Sequence, residues 1–272
     1  MKWVKRFFYL IGGIVLLIIL ALGTIWVITS VRMSERYEVA ARPIPVPTDS
    51  AGIARGRHLA FAIGKCAECH GQDLGGQMVS DDFIFARLAS ANLTSGQGGL
   101  GSRYDDATLA RAIRHGINEN GKALRVMPSE AFQYMSDEDV GALVAYIRSV
   151  PPVNREHPKA RIGPLARVLS IMTPFPLVPP RVVDHQRVPP ASMPEEQSVA
   201  YGKYLADVGG CTGCHGPGLS GGAMGPGKPA SNLTSAGIGT WTEADFIRAL
   251  REGKRPVGAD IDSTAMPWKM AG

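Results

Sequence analysis

Cysteine is scarce in this chain. There are four in 272 residues, all inside two short motifs, so no thiol is left for any other purpose. Charge is also missing in the concentrated form that a nucleic-acid binder needs. The formal net charge of +5 is spread as +3 over residues 1–50, −1 over 51–150, +2 over 151–198 and +1 over 199–272. No module is strongly basic, and that sets aside the class of proteins that bind a phosphate backbone. Strand signals are weak throughout, and no βαβ pattern surrounds the cysteines, so a thioredoxin-like dithiol finds no support.

The four cysteines occur in Cys66-Ala67-Glu68-Cys69-His70 and, 145 positions later, in Cys211-Thr212-Gly213-Cys214-His215. A C-x-x-C-H run reads as a covalent haem attachment site. Two thiols one helical turn apart can add to the haem vinyl groups as thioethers, and the adjacent histidine can then ligate the iron. A lone C-x-x-C also fits a zinc half-site, a redox pair or a disulfide. Zinc would require halves far more widely spaced than usual to converge. None of these alternatives explains a histidine directly after the second cysteine in both copies.

At the N-terminus, Lys2, Lys5 and Arg6 precede an apolar run from Phe7 to Ile28, interrupted only by Gly12, Gly13, Gly23 and Thr24. At about 1.5 Å per residue the run spans about 33 Å, enough to cross a hydrocarbon core. A signal-peptide core would be shorter and would lead into a small-residue cleavage site, whereas Ser30-Val31-Arg32 follows here. The expectation is an uncleaved transmembrane anchor over residues 1–36. Its basic flank stays in the cytoplasm, and the rest of the chain faces the periplasm of a bacterial inner membrane. Residues 37–50 then read as a stiff tether, with Arg42-Pro43-Ile44-Pro45-Val46-Pro47 alternating proline.

The motif belongs to a longer internal repeat. Gly56-Arg57-His58-Leu59-Ala60 corresponds to Gly202-Lys203-Tyr204-Leu205-Ala206, and Ser90 through Ser95 to Ala230 through Ser235. Tyr104 through Gly116 matches Trp241 through Gly253, and Met127-Pro128 matches Met266-Pro267. Each unit reads as helix and loop. A helix opens at Ser50 or Ala51 and ends near Gly64. Asp105 or Asp106 caps a second that stops at Gly116, and Thr242 caps its counterpart that stops at Gly253. Ser136 starts a third helix, with Val140, Leu143, Val144 and Ile147 as its buried stripe and Pro151-Pro152 as its end. The Gly-rich runs 96–101 and 216–227 read as loops suited to wrapping a flat cofactor. His58 is a surface or interface residue, since its counterpart is Tyr204.

With the first helix, C-x-x-C-H, loops, middle helix and Met-Pro in that order, each unit resembles a class I cytochrome c domain. The resemblance covers residues 51–150 and 196–272. It implies a mainly α fold: an N-terminal transmembrane helix and two tandem domains, each holding one covalent haem c. It also implies a distal methionine as sixth iron ligand, which favours Fe(II) and leaves no open site for substrate. Met78 and Met224 lie only 8 and 9 residues beyond their histidines, a short path round the haem edge, whereas Met127 and Met266 lie 57 and 51 beyond. The expected iron ligands are therefore His70 with Met127 and His215 with Met266, and Met135 and Met270 fall to core or surface. The second domain departs from the family by lacking a C-terminal helix after Met266. That would leave Tyr204, Leu205 and Val208 uncovered, and the expectation is a sequence cut short at Gly272.

Residues 151–195 form a proline-rich strap between the domains; the wider stretch 151–198 holds eleven prolines and little helical pattern. Asn92 and Asn232 formally match a glycosylation signal, but a loop bonding haem propionate or backbone explains their duplication better. The function expected is one-electron transfer, with no catalysis by the chain itself. It would run between a dehydrogenase or quinol-oxidising complex and an oxidase or soluble cytochrome. Cytochrome subunits of membrane-bound alcohol and gluconate dehydrogenases resemble this pattern, but they commonly carry three haems, so the chain is not assigned there. The rival from another class is a di-haem peroxidase, which needs one iron with a displaceable ligand.

Overall fold

An apolar run without proline has nothing to break it, and α1 extends as one helix over Lys2–Ser34. The computed structural model describes residues 2–173, 175, 177–222 and 229–270, and side chains at all of these except 102 and 270. Among the described residues α1 is the one helix long and apolar enough to cross a membrane. The Thr24 and Thr29 hydroxyls donate to the Leu20 and Ile25 carbonyls at 2.8 and 2.7 Å, so they add no unpaired polar group.

In the first repeat unit, α2 covers Ser50–His58 and runs on into a π-helical turn, Leu59–Ile63. The Asp49 carboxylate caps it by accepting from the Gly52 amide at 2.9 Å. Lys65 then adopts the left-handed conformation (φ 52°), and the motif itself forms a one-turn helix, α3, over Cys66–His70. Next come a hairpin, β1 (Met78–Asp81) and β2 (Ala86–Ala89), and α4 (Asp106–His115), which Asp105 caps and Gly116 ends at φ 66°. A short α5 (Ser129–Phe132) leads to α6 (Asp137–Ser149), capped by Ser136.

The expected stripe on α6 is real: Val140, Leu143, Val144 and Ile147 are all buried. Burying each is worth about 1.5–3 kcal/mol relative to exposure, so this helix holds the unit together. It crosses α2 so closely that a Cβ on Gly56 would lie 1.9 Å from the Ala142 carbonyl oxygen. Only glycine fits there.

The segment after α6 is more structured than its prolines suggest. Arg161–Ile162 forms β3, which pairs antiparallel with β2, and Pro164–Met172 forms α7. The three-stranded sheet was not visible in the sequence, because its strands are two to four residues long. A second core, of Ala86, Leu88, Ala123, Ile162, Ala166, Leu177 and Val178, sits between this sheet and α7.

The second repeat unit contributes α8 (Val199–Val208), α9 (Cys211–His215), α10 (Ser235–Ile238) and α11 (Glu243–Glu252). Thr242 and Asp245 form a reciprocal capping box at the start of α11, and Gly253 ends it at φ 68°. Among the described residues only a 3-10 turn, Trp268–Met270, follows.

One expectation is corrected here. Tyr204 and Val208 do not lie uncovered: they are 6% and 1% exposed, inside the core of the first unit, with Tyr201 and Leu205 packed beside them. The Tyr204 hydroxyl donates to the buried Asp139 carboxylate and accepts from the Ser136 amide at 3.0 Å. Arg55 pairs with Asp139 at 2.6 Å and also with Glu195. One carboxylate on α6 thus ties together α2, α6 and α8.

Candidate haem attachment sites

The two C-x-x-C-H helices are built alike. In each, the chain enters through a left-handed residue, Lys65 or Gly210, and leaves through a glycine at positive φ, Gly71 (80°) or Gly216 (77°). Three residues further, Leu74 and Leu219 both take φ near 50°, at 52° and 55°. A leucine there is strained and persists only where its surroundings hold it. In both copies its amide donates to the glycine carbonyl, Gly71 at 3.0 Å and Gly216 at 2.9 Å. Its own carbonyl accepts from Leu93 or Leu233 at 2.8 Å.

The histidines share a partner as well. His70 Nδ1 lies 2.8 Å from the Ala91 carbonyl, and His215 Nδ1 lies 2.8 Å from the Ser231 carbonyl. A carbonyl can only accept, so Nδ1 carries the proton and Nε2 keeps its lone pair for a metal. Burial pushes the His70 pKa below its ordinary value, which favours the neutral ring that ligation needs. Ala91 and Ser231 were not singled out from sequence, because a backbone carbonyl leaves no residue-type signature.

Burial pushes the Cys66 thiol up to about 12, and Cys69 and Cys211 are also raised, burial being the main cause. Burial thus keeps each of these sulfurs a neutral thiol. Among the described residues no three His, Cys, Asp or Glu side chains converge as a metal cage would require. The donor set therefore fits haem: two thiols one turn apart and an imidazole with a free, oriented nitrogen.

Met127 is half-buried against the same core that Cys66 flanks, between Val126, held at φ 60°, and Pro128. A β-branched residue in that region is an outlier, and here it sits next to a candidate ligand. Met135 is fully buried core, Met78 lies exposed on β1, and His58 is exposed. Met266 is half-buried; Met224 and the side chain of Met270 lie outside the described residues.

The duplicated asparagines serve the backbone. Asn92 Oδ1 accepts from the Thr94 amide and hydroxyl at 3.0 and 2.8 Å, and Asn232 does the same for Thr234 at 2.8 and 2.7 Å. Asn92 is 1% exposed, and its amide nitrogen donates to the Val153 carbonyl at 2.7 Å, in the strap. The strap crosses this loop closely: a Cβ on Gly96 would lie 2.2 Å from the Val153 carbonyl oxygen. Gly96 therefore makes room for the strap. Arg155 completes the clasp by bonding Asp73 at 2.8 Å and the Gly76 carbonyl at 2.9 Å.

This geometry suits a class of protein, one that carries haem bonded covalently through thioethers. Residues 51–147 match the family described as cytochrome C oxidase, cbb3-type, subunit III, so this part of the chain is a cytochrome c domain. Beyond that domain the chain is similar to cytochrome subunits of dehydrogenases. It is 30% identical over 239 residues to the fructose dehydrogenase cytochrome subunit of Gluconobacter japonicus, covering 78% of this chain and 47% of the relative. It is 32% identical over 243 residues to the gluconate 2-dehydrogenase cytochrome c subunit of Pantoea cypripedii, covering 76% and 52%. The cytochrome c subunit of the quinone-dependent alcohol dehydrogenase of Gluconacetobacter polyoxogenes matches at 31% over 235 residues, covering 76% and 49%. The chain thus spans about half the length of these relatives. The resemblance of the repeated pattern to cytochrome subunits of membrane-bound dehydrogenases is borne out by these matches.

Proposed function

We propose that this chain is a membrane-anchored electron carrier with two c-type haems, one on Cys66, Cys69 and His70 and the other on Cys211, Cys214 and His215. Bound there, haem iron supplies one-electron redox chemistry. The residues do the rest. The Ala91 and Ser231 carbonyls hold each imidazole in the ligating tautomer. Met127 and Met266 would supply the second protein ligand to each iron, and a haem so held would have no open position for substrate.

The observation that carries the reading is that the segments leading into the two attachment motifs lie side by side. A methyl placed on Gly209, two residues before Cys211, would lie 4.0 Å from both the Cys211 sulfur and the Ile63 carbonyl, three residues before Cys66. Burial raises the Cys211 thiol, and the nearby Lys65 charge pulls it back. Two redox centres so placed suit a relay. The donor would be a dehydrogenase or quinol-oxidising complex and the acceptor an oxidase or soluble cytochrome, with α1 as the anchor and the haem domains in the periplasm. The relatives' names support a dehydrogenase complex as partner.

Reductive titration of the purified full chain under carbon monoxide tests this. Two one-electron transitions without carbon monoxide binding are expected, and Met127→Ala or Met266→Ala should each admit carbon monoxide at one haem and lower its potential. Carbon monoxide binding to the unaltered protein would overturn the filled sites and favour a peroxidase-like enzyme.

A further inference from the structure

α7 has no part in holding haem, yet it is fastened to the anchor. Arg167, 8% exposed, donates to the Thr29 hydroxyl at 2.7 Å, the Ser30 hydroxyl at 3.0 Å and the Trp26 carbonyl at 3.3 Å. Its guanidinium also lies 3.7 Å from the centre of the Trp26 ring. Those three residues mark the end of the apolar run of α1, so α7 is held at the level where the hydrocarbon would give way to water.

Beside that contact, apolar side chains are exposed among the described residues. On α7, Leu165 is 43%, Ile171 37% and Met172 75% exposed. The tip of the β1–β2 hairpin adds Phe83 at 75% and Ile84 at 59%. The tip is bonded to the start of α7: the Leu165 amide donates to the Ile84 carbonyl at 3.0 Å and the Gly163 amide to the Phe85 carbonyl at 2.8 Å. Hairpin, helix and anchor therefore form one connected surface. Arg161 stacks on Phe83, its guanidinium 4.4 Å from the ring centre, with the charged head exposed. An aromatic body with a cationic tip beside it suits the boundary between acyl chains and headgroups.

We propose that Phe83, Ile84, Leu165, Ile171 and Met172 form a second membrane contact, which dips into the bilayer interface beside α1. Arg167 already holds α7 against the end of α1. A second contact fixes which face of the domain looks into the periplasm. The occupant is lipid because the surface continues from a segment that itself enters the bilayer. This inference rests on the anchor reading of α1.

The test uses the full haem-loaded chain, whose native cysteines are occupied as thioethers, in vesicles of phosphatidylcholine and phosphatidylglycerol. Phe83→Cys, Met172→Cys, Val188→Cys and Ile18→Cys each receive a nitroxide label. Relaxation by oxygen, which partitions into lipid, is compared with relaxation by a water-soluble nickel chelate. The expected oxygen-to-nickel ratio at 83 and 172 is several-fold above that at 188 and approaches that at 18. A high ratio at 18 with values at 83 and 172 equal to that at 188 overturns the second contact and leaves the anchor standing. A low ratio at 18 removes the anchor reading and the inference with it. Exclusion of both reagents at 83 and 172 means that protein covers the face, and that also overturns the proposal.

Discussion

The two repeat units share their attachment geometry and differ in what surrounds it. Turn glycines, the strained leucine, the histidine–carbonyl pair and the Asn–Thr bonds agree between copies to within a few degrees or tenths of an ångström. The enclosure does not agree. In the first unit α6 covers α2 and the strap clasps the Asn92 loop. In the second, α8 turns its apolar face to the first unit instead, and Phe246 and Ile247 of α11 are 41% and 42% exposed. The shared attachment geometry is thus written between Lys65 and Thr94 in one copy and between Gly210 and Thr234 in the other. The shell that protects it is assembled from elsewhere in the chain.

The largest effect expected from that contrast concerns the haem itself. Cys66→Ala with Cys69→Ala should remove haem from the unit whose core also seats α8, and both units should lose cooperative thermal unfolding followed by circular dichroism. Cys211→Ala with Cys214→Ala should leave the unfolding of the first unit in place. Equal losses from the two pairs would break the comparison.

Asp139→Ala comes next. It strips Arg55 and Tyr204 of a shared buried partner, and breaking a buried pair costs about 3–5 kcal/mol. Chemical denaturation should show a loss of that size, with part of it reproduced by Tyr204→Phe. The smaller contrast lies between the asparagines. Asn92→Ala should cost about 1–3 kcal/mol, because it orphans buried groups of its own loop and of the strap. Asn232→Ala, in a more exposed loop, should cost less.

The sequence told most about what is local. Asp49, Asp105, Ser136 and Thr242 cap helices as their residue types suggest, and Gly116 and Gly253 end them. The motifs and their repetition located both candidate sites. The partners that lie far along the chain were hidden: Val153 for Asn92, Arg167 for Trp26 and Asp139 for Tyr204. Each is an ordinary residue whose meaning comes from what the fold brings beside it. α7 was hidden for another reason, since nine helical residues between prolines carry too few periods to stand out.

A separate effect is a pH dependence in the first unit. His115 at the end of α4 is pushed down to about 4, by burial first and then by His185, whose Nδ1 lies 3.1 Å away, and by Arg114 and Arg111. Its folded pKa lies below the unfolded value of about 6.5, so the unfolded chain takes up the proton first. Stability should therefore be full above pH 6.5 and decline as pH falls toward 4. His115→Gln should flatten that slope in denaturation series across the window.

The proposed function needs both motifs to carry haem in one chain. The pyridine haemochrome spectrum of the purified full-length protein, set against its protein concentration, tests it most directly. Two c-type haems per chain are expected; one haem, or none, would mean that a motif stands unloaded.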